Sequence, residues 1–183
     1  MKNIIVGLLL ILAFTNPVYG QDQTSTGNRF LNFGVGVSDW GIPIYMNLES
    51  PIDIESSTIS VGFSYQFKNE TERYYWYLSD VTWRHAIIGI DGSWNYYVDE
   101  LLGLPDNLNL YGGVGFGYWI WRTKVHSAYN GFSDTYSGTG SGGLGVSYVL
   151  GGRYLFKDRL GLNVQFGGGT ILSAGKIGLS LQL

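Results

Sequence analysis

Residues Thr58 to Lys68 alternate without a break. Ile59, Val61, Phe63, Tyr65 and Phe67 hold one set of positions; Thr58, Ser60, Gly62, Ser64, Gln66 and Lys68 hold the other. A strand sends successive side chains to opposite faces, so this pattern predicts a two-faced β-strand. The second face is small and nearly uncharged, a poor coat against water. The same sorting recurs along the chain and predicts eight strands: Leu31–Ser38, Ile42–Glu49, Thr58–Lys68, His85–Tyr96, Leu110–Ile120, Gly143–Phe156, Leu160–Gly167 and Lys176–Leu183. Ile87 alone interrupts the small face of the fourth. Each run is close to the ~9–11 residues of a tilted membrane-crossing strand.

The connections differ by side. Ser50–Ser57, Val98–Asn107 and the tight turn at Lys157-Asp158 fall at one end, with Pro105-Asp106 marking a turn. At the other end lie two long polar connections, Asn69–Thr82 and Arg122–Ser141, expected as loops, and two shorter ones, Asp39–Gly41 and Thr170–Gly175. Short inner turns and long outer loops are the asymmetry of a membrane barrel. Pro43 lacks a ladder donor and belongs near a strand end. The expected fold is all-β: an eight-stranded antiparallel up-and-down transmembrane barrel, preceded by a cleavable signal peptide.

That signal is read at residues 1–20. Lys2 is the positive flank, Ile4–Phe14 the apolar core, and Val18 and Gly20 the small-side positions of a cut before Gln21. The barrel domain is then 21–183. Composition agrees with an exterior that is not water. Charged residues are 14%, against about 25% in an average soluble domain, and Gly numbers 28. The net charge of −3 comes without a basic stripe, so nucleic acid is not an expected partner. The absence of Cys excludes a lipid-anchored lipoprotein and thiolate chemistry. A soluble barrel such as a lipocalin would reverse the sorting, with apolar side chains inside and charges outside. Aromatics gather near strand ends (Tyr65, Phe67, Trp83, Tyr96, Tyr118, Trp119, Trp121, Tyr154, Phe156), where interfacial girdles sit.

Four stretches carry a family resemblance: Leu110-Tyr111-Gly112-Gly113-Val114-Gly115-Phe116-Gly117-Tyr118, Gly151-Gly152-Arg153-Tyr154, Arg159-Leu160-Gly161-Leu162 and Ile177–Leu183. Together they resemble the small eight-stranded outer-membrane barrels of Gram-negative bacteria, the OmpA/OmpX-like or porin-family β-barrel domain, in a Bacteroidota-like variant. The resemblance implies the outer membrane as location, with its lipid and lipopolysaccharide as surroundings. It also implies that the outer-membrane insertion machinery reads the last strand through Ile177, Leu179, Leu181 and Leu183. The family often ends in Phe; this chain ends in Leu183.

Candidate chemistry is sparse. Gly140, Gly142 and Gly145 spell G-x-G-x-x-G, but the motif opens a strand rather than a helix, so no dinucleotide site is expected. His85 and His126 are too few for a metal site, and no cofactor is expected. His126 with Ser127 and Asp134 would be chemically adequate for acyl transfer, as in lipid A-modifying barrels, but matches no motif of such enzymes. Glu49, Asp91, Arg153 and Lys176 all fall on the inward set. They read as a charge network filling the lumen, with Glu49–Arg153 the preferred pair, or alternatively as the lining of a narrow pore. Tyr74, Tyr75, Trp76 and Tyr77 form an aromatic run suited to surface contact or to anchoring at the rim. The function expected is structural or surface-interacting through the outer loops, without catalysis.

Overall fold

The computed structural model describes residues 28–38, 41–74, 79–129, 132–138, 140–169 and 175–183. The segment read as a signal peptide, and Tyr75, Trp76 and Tyr77, lie outside the described residues. The described chain forms one antiparallel sheet from β1 (Phe30–Val37), β2 (Ile44–Pro51), β3 (Ser57–Tyr74), β4 (Ser79–Tyr97), β5 (Leu108–Tyr129), β6 (Phe132–Ser137), β7 (Gly142–Lys157), β8 (Leu160–Gly169) and β9 (Gly175–Gln182). Strand order runs β4-β3-β2-β1-β9-β8-β7-β5, and β4 pairs with β5 to close the circle. The last strand zips onto the first, from Phe30↔Gln182 to Val37↔Gly175, so the barrel has eight staves.

The sorting read in the sequence is the sorting of the wall. Val61, Phe63, Ile90, Val114, Phe116, Val146, Phe166 and Ile177 are exposed on the outside. Asn32, Asn47, Ser60, Asn95, Asn109, Asn163 and Ser180 are buried within. An apolar exterior around a polar interior is the polarity of a membrane-spanning barrel. Trp94, Tyr96, Tyr154 and Phe156 ring the end that carries the tight turns, and Tyr65, Phe67 and Tyr118 ring the other. Trp83, Trp119 and Trp121 do not join that girdle. Their ladder partners Glu70, Gly89 and Ile87 place them on the inward-facing set.

Close-packed glycines set how near inner side chains come to the wall. A Cβ on Gly151 would collide with the Tyr111 ring, and one on Gly178 with the Tyr45 hydroxyl. Those two tyrosines therefore pack directly against bare backbone, which is where two bulky side chains fit in a narrow lumen. The turn between β4 and β5 holds a short helix, α1 (Asp99–Leu102), closed by Gly103 in the left-handed conformation at φ 61°. Asp99 accepts hydrogen bonds from Asn109 Nδ2 at 2.8 Å and from the Leu110 amide at 2.5 Å, fastening this turn to the barrel floor.

Most of the described residues of the long outer connections are strand rather than loop. The β3–β4 ladder continues to Tyr74↔Ser79, and the β5–β6 ladder to Tyr129↔Phe132. Backbone pairing carries these segments because they lack the apolar alternation that reveals a strand in sequence. β6 and β7 lie end to end along β5. Lys124↔Ser137 belongs to one register and Ile120↔Gly142 to the other, so four residues, 138–141, face three, 121–123. The extra residue makes this a bulge, held by Gly138 N to Thr123 O at 2.9 Å and Trp121 N to Ser141 O at 2.8 Å.

Candidate functional site

Two places concentrate polar chemistry: the lumen and the sheet that rises above it. In the lower lumen, Arg153 donates from Nη2 to Glu49 Oε2 at 2.6 Å. Both groups are almost wholly buried, at 0% and 1% exposure. A buried ion pair persists only when its remaining donors and acceptors are met, and here they are. Thr58 Oγ1 donates to Glu49 Oε1 at 2.6 Å, the Tyr97 hydroxyl donates to the same oxygen, and Asn32 Nδ2 reaches Oε2 at 3.4 Å. Arg153 Nε donates to Ser180 Oγ at 3.1 Å and Nη1 to the Tyr97 hydroxyl at 3.2 Å. Its guanidinium carbon lies 3.6 Å from the centre of the Phe30 ring, a cation–π contact strengthened by the burial of both side chains. Beside it, the Tyr111 hydroxyl accepts from Asn163 Nδ2 at 2.9 Å and Gln165 Nε2 at 2.7 Å. The result is a connected plug across the lower barrel.

Asp91 and Lys176 are inward-facing but separate from that plug. Among the described residues no ion pair joins them. Both line two stacked cavities of about 50 and 40 Å³ above it, each with room for a few water molecules. Lys176 Nζ lies 5.2 Å from the centre of the Tyr45 ring. Ile87, the residue that breaks the polar inner face, lines the upper cavity with Gln66 and Trp119. Of the four inward charges expected to act together, the structure thus joins two. Tyr97 was not expected as their partner, because it lies just past the alternation that defines its strand.

His85 Nδ1 lies 2.9 Å from Thr123 Oγ1, and its ring meets Trp121 edge-on at 5.9 Å. His126 is the ladder partner of Thr135, whereas Ser127 and Asp134 partner each other one position on. His126 therefore belongs to the opposite alternating set from those two residues. Among the described residues no cluster of three or more His, Asp or Glu could hold a metal ion.

The upper sheet is built from the outer halves of β3, β4, β5 and β6. On β3, the positions beyond Tyr65 have no partner on β2, whose ladder ends at Ile44↔Tyr65. Among the described residues β6 pairs with β5 alone. Tyr74 ends β3 at the top of this sheet. Down the length of the closing strand and just past its end, Ile177, Leu179, Leu181 and Leu183 are all exposed on the outside.

No protein-family model matches the chain, and no curated protein matches it. Solved structures do. Neisserial surface protein A is 10% identical over 85% of this chain and 95% of that one, with a TM-score of 0.46. The N-terminal β-barrel domain of Pseudomonas aeruginosa OprF is 8% identical over 86% and 98%, with a TM-score of 0.46. Ail, a Yersinia pestis outer-membrane protein solved in a phospholipid bilayer nanodisc, is 11% identical over 86% and 99%, with a TM-score of 0.47. These are likenesses of fold.

Proposed function

We propose that this chain is an outer-membrane barrel of a Gram-negative bacterium that acts by contact at the cell surface, without catalysis. One observation carries the reading: the sheet continues past the apolar belt as an ordered four-stranded projection. Counted from Phe67 to Tyr74, it rises about 23 Å along β3 at ~3.3 Å per residue. Among the described residues its two outer edges, β3 beyond Tyr65 and β6, pair with no further strand. Such edges are what a sheet offers an extended partner segment. The barrel anchors, and the projection meets the partner. The closing strand, with Ile177, Leu179, Leu181 and Leu183 outward, serves as the signal for the insertion machinery.

A pore is the weaker reading, because the Glu49–Arg153 plug fills the lumen at its lower end. A lipid-editing enzyme is weaker still, since His126 is out of register with Ser127 and Asp134.

The test is a shortened barrel in which two-residue turns replace 69–84 and 124–137. Migration on a gel that differs between boiled and unboiled samples reports the closed barrel. The shortened form is expected to keep that difference and to lose adhesion of expressing cells to protein-coated surfaces. Adhesion unchanged in the shortened form would overturn the surface role. Identical migration of the full-length protein with and without boiling would overturn the barrel itself.

A further inference from the structure

The outward face of the projection changes character within two ladder rows. Tyr65, Ile88 and Ile120 form the last fully apolar row. Next come Phe67, Ala86 and Arg122, and above them Asn69, Arg84, Lys124 and Ser137. Arg84 and Lys124 are direct cross-strand partners, and Arg122 lies two positions along β5 from Lys124. All three are exposed. Like charges directly opposite one another on a sheet are destabilising. Among the described residues no carboxylate pairs with any of the three. The carboxylates of this region, Glu70 and Glu72, belong to the other alternating set, with Lys68 and His85. Further out along the ladder, Arg73 and Asp80 are register partners of each other. The segregation is not a matter of composition, for the chain as a whole carries −3.

We infer that Arg84, Arg122 and Lys124 form a binding site for the phosphate groups of an outer-leaflet glycolipid. The occupant follows from position. The three cations stand on the lipid-facing side, one and two rows above the apolar belt, at the depth where headgroup phosphates lie when acyl chains cover Tyr65, Phe67 and Ile120. Guanidinium forks match phosphate oxygens in pairs, and a bound phosphate relieves the Arg84–Lys124 repulsion. A soluble polyanion would need no such continuity with the belt. The inference rests on the membrane placement argued above.

The test uses the folded protein in detergent micelles at low ionic strength, titrated with lipid A either phosphorylated or stripped of its phosphates. The wild type is expected to bind the phosphorylated form and not the stripped form, a comparison that needs no variant. The variant R84Q/R122Q/K124Q is expected to lose on the order of 100-fold in affinity for three surface charges. In phosphatidylcholine vesicles without lipid A it should unfold at an equal or higher urea concentration than the wild type, since repulsion has been removed. Equal binding of the stripped lipid, or unchanged affinity in the variant, overturns the site. So does a soluble sulfated polysaccharide that displaces the glycolipid. Failure of the wild type to float with vesicles would instead overturn the membrane placement.

Discussion

Glu49 and Arg153, 104 residues apart in the chain, meet at 2.6 Å in the lower barrel. β2 and β7 do not neighbour each other in the sheet, so this contact crosses the lumen. Arg153→Met leaves Glu49 buried without its counter-charge. That change should destabilise the barrel by about 3–5 kcal/mol, measured as a lowered urea midpoint in vesicles. The double change Glu49→Leu with Arg153→Met removes both charges and should recover most of the loss. A double variant no better than the single would show that the hydrogen-bonded surroundings, rather than the lone charge, set the cost.

The wall predicts a depth profile. Phe63 lies midway along the membrane portion of β3 and is exposed. Phe63→Arg should cost about 2–4 kcal/mol in a bilayer, and Asn69→Arg, above the belt, about 0–1 kcal/mol. Urea titrations of the two variants in the same vesicles measure the difference. Equal costs would contradict a lipid-facing Phe63.

Tyr111 lies over Gly151 with no room for a side chain between them. Gly151→Val should push Tyr111 from the donors Asn163 and Gln165. A loss of about 1–3 kcal/mol is expected, as for other overpacked interiors. Tyr111→Leu in the same background should restore part of it. Midpoints of the three variants decide the matter, and strict additivity of the two changes would contradict the proposed contact.

On the projection, the Lys68 ammonium donates to Glu70 at 2.6 Å. That hydrogen bond and the attraction of the Lys68 charge hold the Glu70 carboxyl below its ordinary value, with His85 adding to the effect. A carboxyl whose value is lowered by folding stabilises the fold above its unfolded value and loses that contribution as pH falls through the folded one. Lys68→Gln should therefore move the Glu70 titration upward, toward the ordinary carboxylate range. Carbon-detected NMR of the side-chain carboxyl follows this directly.

The narrow lumen also bears on conductance. The buried Glu49–Arg153 pair closes the lower lumen, so planar bilayers containing the wild-type protein should show no discrete conductance steps. Regular unitary steps would revive the pore reading.

Sequence alternation revealed the membrane portion of every stave because burial on one side and lipid on the other force side chains to segregate. It also placed Glu49 and Arg153 on the inward set and toward the same end, which is enough to nominate them as a pair. It did not reveal that Asp91 and Lys176 stand apart, because facing inward says nothing about distance across a lumen. Segments such as Asn69-Glu70-Thr71-Glu72-Arg73 are polar at every position. Their ladder rests on backbone hydrogen bonds, which no side-chain pattern reports, so they read as loops. The cationic cluster of Arg84, Arg122 and Lys124 comes from two distant stretches and emerges only once register is known.

The bulge at 138–141 shifts the strand by one position, so even-numbered residues face outward in β7 and odd-numbered ones share the corresponding face in β6. Insertions or deletions above it need not preserve the in–out phase of the membrane wall. The segment beyond the bulge is thereby free to diversify under selection by whatever meets the cell, while the anchoring half keeps its grammar unchanged.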